Sequence, residues 1–160
     1  MMIKITKYKL RGQSMIEVVI GLGVVVLLAI SLVTTSLITQ RTSRSARNNS
    51  QATKLAQETL EQIRIYRDHK GFNALSEGSC YILNATDADP LNWSLNSVAP
   101  PCPVGEAITL NSTLFNRYLI IEPDNSNANK KIITVSITWE DSAGKQNVTD
   151  QTILTKWDYI

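Results

Sequence analysis

Between Glu17 and Arg41 the sequence carries 23 consecutive residues, 18 to 40, without a charge. This stretch constrains the chain more than any other feature. As an α-helix it spans roughly 35 Å at ~1.5 Å per residue, against ~30 Å of bilayer hydrocarbon. Its Val-rich composition leans toward strand. In lipid, however, backbone polar groups have to be bonded within the segment, so helix is the expected state. Four cations, Lys4, Lys7, Lys9 and Arg11, lie in the first 12 residues, which hold no carboxylate. The net charge of +2 belongs to that leader, because from residue 13 onward 12 cations face 14 anions. Net charge therefore gives little support to nucleic-acid binding, and none is expected. A plain cytosolic enzyme is also disfavoured, since the apolar run has to be placed somewhere.

The pattern turns polar after the run with no breaker: Thr34 to Arg67 contains neither Pro nor Gly. Ala52, Leu55, Ala56, Leu60 and Ile63 recur at three- and four-residue steps, the spacing of one helical face. Glu61 and Arg64 lie three apart, and Glu58 and Gln62 four apart, which suits an exposed face. Arg64, Arg67 and Lys70 crowd the C-terminal end, where cations complement the helix dipole, and Gly71 is a natural terminator. One helix is predicted from about residue 14 to about 68, apolar in its first half and amphipathic in its second.

Residues 76 to 112 are rich in Asn, Ser, Asp and Pro and read as a long connection with one short strand around Cys80–Leu83. Tyr118 to Glu122 is a β-branched and aromatic run closed by Pro123. Ile133, Val135, Ile137 and Trp139 alternate with Thr134, Ser136, Thr138 and Glu140, a period of two. Asp141 to Gly144 reads as a turn and Asn147 to Trp157 as a polar strand, giving a hairpin with one apolar face. An isolated hairpin is marginal, and the Ala52/Leu55/Leu60/Ile63 stripe is the amphipathic face available to cover it. The expected fold class is α+β: a long N-terminal helix, membrane half plus amphipathic half, packed on a small antiparallel β-sheet. The divisions are 1–12, a basic leader; 13–40, the apolar helix half; 41–70, the amphipathic half; and 71–160, a β-rich head.

A basic segment before an apolar run suits a secretory signal, a simple anchor or a processed leader. Residues 33 to 40 offer a poor small-x-small cleavage site for a secretory signal. A carboxylate at the head of the run, Glu17, gives a simple anchor no benefit. Gly12-Gln-Ser-Met-Ile-Glu17 followed by the long apolar helix resembles the class III signal of type IV pilins and pseudopilins. Ala52 to Glu61 and the Val135–Gly144 hairpin are similar to minor pilins of the PilV-like sort. Gln13 stands where the family usually has Phe or Met. The resemblance implies cleavage between Gly12 and Gln13 by a prepilin peptidase on the cytoplasmic side, followed by methylation of the Gln13 amine. It also implies assembly through Glu17, which would meet a neighbour's α-amine within a bundle of apolar helices. An unpaired charge there is costly, so such a pair enforces register more than it adds net stability.

With the leader cytoplasmic, the head lies outside the cell membrane, where disulfides persist. Cys80 and Cys102, the two cysteines, are expected to bridge there, with free thiols as the alternative. Closing a loop of about 20 residues contributes about 3 kcal/mol in the chain-entropy model. Two Cys and one His are too few ligands for a metal site. His69 reads as a solvated helix-end residue rather than a base, since neither an orienting group nor an oxyanion site is marked. Gly21-Leu-Gly23 lacks the third Gly of a dinucleotide motif. Arg41, Arg44 and Arg47 read as a solvated face, and five Asn-x-Ser/Thr triplets read as compositional. No catalytic residue and no cofactor is expected.

The reading is a structural subunit, a minor pilin or pseudopilin of a type IV pilus or a related secretion or DNA-uptake filament. Its implied partners are other pilin subunits, the prepilin peptidase, an inner-membrane assembly platform and membrane lipid. The implied location is a single pass of the inner membrane with the head outside, and then a surface or periplasmic filament. The alternative is a membrane-anchored binding domain that never enters a filament.

Overall fold

The computed structural model describes residues 13–98, 102, 105–142 and 144–156. The leader, including Gly12, and the chain end, including Trp157, lie outside the described residues. Helix α1 runs Gln13–Lys70, two residues beyond the expected C-terminal end. It closes on a Gly71 N–H donating to the Arg67 carbonyl at 2.8 Å. Gly71 then turns the chain away at φ 87°, a region where a Cβ is strained. The chain divides into two compact units, one up to Ser43 and one from Arg44 onward.

In the first unit every residue from Met15 to Ser43 is exposed. Four hydroxyls of this stretch are bonded within the helix. Ser31, Thr34, Thr35 and Thr39 each donate to the carbonyl four residues earlier, at 2.8 to 2.9 Å.

In the second unit the amphipathic half of α1 packs on a six-stranded antiparallel sheet. The strands are β1 (Cys80–Asn84), β2 (Ser94–Val98), β3 (Glu106–Leu110), β4 (Thr113–Pro123), β5 (Lys130–Asp141) and β6 (Gly144–Thr155). They lie in the order β2-β1-β4-β5-β6, with β3 also paired to β4. One edge of β4 runs along β5 from Phe115 to Pro123. The other edge is shared: β3 takes Thr113 to Arg117, and β1 takes Leu119 and Ile120.

The expected helix stripe forms one wall of the core. Ala52, Ala56 and Ile63 are wholly buried, and Leu55 and Leu60 nearly so. Facing them are Phe115, Leu119, Ile121, Ile133, Val135 and Ile137, all wholly buried, with Trp139 tilted on Phe115 at 5.7 Å. Full burial of each such side chain contributes about 1.5–3 kcal/mol. Two alanines on the contact line let the helix backbone approach the sheet closely. Along the flank of the helix, Arg64 pairs with Glu61, and Gln62 donates to Glu58 at 3.2 Å, as the spacing predicted.

The supposed long connection over 76–112 holds three strands rather than one. Strand β2 (Ser-Leu-Asn-Ser-Val) and strand β3 (Glu-Ala-Ile-Thr-Leu) have little propensity signal of their own. Their pairing is imposed by β1 and β4. The polar residues between β1 and β2 build Asx turns: Asp87 accepts from the Asp89 N–H at 2.8 Å, and Asp89 from the Leu91 N–H at 2.9 Å. Another such turn follows β4, where the Ser126 hydroxyl and backbone N–H both bind the Asp124 carboxylate and hold its pKa below the usual value.

Strands β3 and β4 join through a two-residue turn, Asn111-Ser112, with φ of 48° and 67°. Asn tolerates that region, whereas Ser has no local means of doing so. Replacing Ser112 with Gly is expected to stabilise the head by about 1 kcal/mol. Urea melting of the detergent-solubilised chain, read by tryptophan fluorescence, measures it; an unchanged or lower midpoint refutes the strain.

Candidate functional site

Two features carry the chemistry foreseen in the sequence, and each belongs to one unit. In the first, Gln13 opens the described part of α1, and Glu17 follows one turn later as an exposed carboxylate. It is the only charged residue from 13 to 40. Beyond it the large apolar side chains stay open to the surroundings, from 73% exposure at Met15 to 48% at Val26. Among the described residues this is the one helix long and apolar enough to cross a membrane. The four hydroxyls bonded back along the helix, those of Ser31, Thr34, Thr35 and Thr39, make the segment more compatible with lipid, because they do not depend on water for an acceptor. A Cβ at Gly21 or Gly23 would meet nothing within 4 Å.

In the second unit Cys80 and Cys102 are joined by a disulfide, with their α-carbons 5.8 Å apart. The bond follows from topology. Cys80 opens β1 opposite Val98, the last residue of β2, so the chain leaving that hairpin passes close to Cys80 again. The bridge ties this passage back before Gly105 and β3 begin. Gly105 itself lies against β4: a Cβ there would sit 2.5 Å from the Arg117 carbonyl oxygen. Any side chain at that position would push β3 off its register.

Arg41, Arg44 and Arg47 are exposed, as is His69 at the helix end. Among the described residues no group of three His, Cys, Asp or Glu could hold a metal ion. Burial raises the pKa of the Tyr66 phenol on the inner face of the helix, keeping it neutral.

The sequence reading passed over the polar ties between helix and sheet. Arg117 is only 7% exposed and sits in phase with the inward residues Leu119 and Ile121. Its Nε donates to Glu106 at 3.0 Å, and its Nη2 pairs with the same carboxylate. Its Nη1 donates at 3.1 Å to the hydroxyl of Thr59, which in turn donates to the Leu55 carbonyl at 2.6 Å. A single guanidinium therefore joins helix, β4 and β3. Asn48, buried, accepts from the Thr113 hydroxyl at 3.5 Å. Arg64 donates to Thr152 on β6 at 3.0 Å. Lys131 donates to the Leu75 carbonyl, lies 3.4 Å from Glu77 and stands 4.6 Å over the Phe72 ring, fixing the loop that follows the helix. The available signal was an ionisable residue at an inward strand position, which has to be paired if buried.

Taken together, one long N-terminal helix and a small antiparallel sheet define an α+β protein whose architecture matches a pilin-like fold. No protein-family model, curated protein or solved structure matches the chain.

Replacing Arg117 with Met leaves Glu106 half-buried without a cation and the Thr59 hydroxyl without its donor. The head is expected to lose about 2–3 kcal/mol, between the ranges for exposed and buried ion pairs. Glu106→Gln should cost less, since that side chain reaches solvent. Urea melts of both variants decide the order; a larger loss from Glu106→Gln contradicts the assignment of Arg117 as the joint.

Proposed function

We propose that this chain is a membrane-anchored structural subunit of a type IV pilin-like filament, a minor pilin or pseudopilin. The apolar half of α1 serves first as the anchor and then as part of the filament core. The observation that carries the reading is the single carboxylate, Glu17, at the head of a helical stretch whose apolar side chains are all exposed. Such a stretch needs either lipid or like helices around it. The Gly12–Glu17 signal and the amphipathic half that packs on a sheet both support the same reading. The subunit's work is then mechanical, its head held outside the inner membrane. Its partners are other subunits, the peptidase that removes residues 1–12 and the platform that drives assembly.

Processing is testable on its own. The mature protein should begin at Gln13, and Gly12→Trp should retain the leader and fail to assemble, because the cut needs a small residue before the bond. Intact-protein mass spectrometry of both forms reads this directly. A wild-type chain that keeps residues 1–12 supports a tethered head domain instead.

Glu17→Gln separates anchor from assembly role. At a membrane interface, losing the carboxylate is neutral or favours insertion. Where the carboxylate meets a neighbour's Gln13 α-amine among apolar helices, breaking the pair costs about 3–5 kcal/mol. That is about two to three and a half powers of ten per contact. We expect the variant to reach the membrane normally and to be depleted from sheared filaments relative to wild type. Equal incorporation of the two proteins removes the pairing role.

A further inference from the structure

The face of the sheet turned away from the helix carries an ordered array. Strand alternation puts Phe115, Arg117, Leu119 and Ile121 of β4, and Ile133, Val135, Ile137 and Trp139 of β5, against the helix. The residues between them face away from the helix, all at least partly exposed except Ser136, which its neighbours cover. The pairing register aligns these across three strands: Asn116, Thr138 and Asn147 form one row, Tyr118, Ser136 and Thr149 the next, and Ile120, Thr134 and Gln151 the third. The Gln151 side chain donates to Thr134 at 3.1 Å, which places both on this face. None of the nine residues is charged. Charges return only at the borders, with Glu122 at one end and Glu140 and Lys145 at the other. At that second end a depression of about 330 Å³ opens between Leu114, Asn116, Thr138, Glu140 and Lys145.

Rows lie about 6.8 Å apart along the strands and columns about 4.8 Å apart across them. Eight of the nine side chains end in a hydroxyl or an amide, including the Tyr118 phenol; all but the buried Ser136 lie open to a partner, and each can both donate and accept. The remaining surface is the ring of Tyr118 and the side chain of Ile120. A partner matching this pattern is flat, uncharged and dense in hydroxyls, with apolar C–H faces for the ring to cover. A charged partner would lose hydration here and find no counter-charge. We propose that this outer face binds a neutral polysaccharide, laid across β4, β5 and β6 and stacked on Tyr118.

The proposal concerns the head alone and holds whether or not the chain enters a filament. The test is co-sedimentation of the full-length chain, in a detergent without a sugar headgroup, with microcrystalline cellulose and with chitin. Alginate gel serves as the anionic control. Wild type should sediment with at least one neutral polymer and not with alginate. Tyr118→Ala and Thr149→Lys should each lower the retained fraction about tenfold. Thr149 is exposed on the edge strand, so its variant keeps the fold, as an unchanged tryptophan-fluorescence melt will show; it decides the matter if Tyr118→Ala unfolds. No retention of wild type on either neutral polymer, equal retention on alginate, or full retention of Thr149→Lys overturns the proposal.

Discussion

Close contact between the Ala52–Ala56–Ile63 line of the helix and the inner face of β4 and β5 is the interaction on which the head depends. The helix half has no other apolar surface on which to bury its stripe, and the sheet's apolar face has to be covered by another layer. Their joining buries Phe115, Leu119, Ile121, Ile133, Val135 and Ile137 completely. Small side chains on the helix set how near the two layers come, so enlarging one would force the whole interface apart.

Polar ties work within that apolar contact and give it a register. Asn48, Thr59 and Arg64 meet Thr113, Arg117 and Thr152 at successive levels along the helix. A helix free to slide along the sheet would leave the Arg117 guanidinium buried without a partner, which costs more than the bond itself contributes. The same guanidinium holds Glu106 at the start of β3. Just upstream, Gly105 and the Cys80–Cys102 bridge bring the chain to that point. Placement of β3 is thus decided by an ion pair, a missing side chain and a covalent bond, with its own propensity contributing little.

This division explains what could be read in advance. Where structure follows from burial with a simple period, the residues announced it: the helix stripe from Ala52 to Ile63, the alternation from Ile133 to Trp139, and the uncharged stretch after Glu17. The two cysteines pointed to a bridge through their compartment rather than through any local pattern. Strands β2 and β3 were illegible because their order comes from neighbours distant in sequence. Asn111-Ser112 was illegible because a tight hairpin turn ordinarily advertises itself with Gly. Arg117 was passed over because an inward-facing arginine looks like an exposed one until the carboxylate and hydroxyl that receive it are located.

The hydroxyls of Ser31, Thr34, Thr35 and Thr39, each satisfied four residues back, have a thermodynamic consequence. A polar group that takes its partner along does not register a change of solvent. Partition of this segment between one apolar medium and another is therefore almost indifferent to these four hydroxyls, and the backbone is equally self-contained. What remains sensitive to the medium is the single ionisable side chain at the head of the run. A preference for one surrounding over another, and hence a direction for transfer, is concentrated at residue 17.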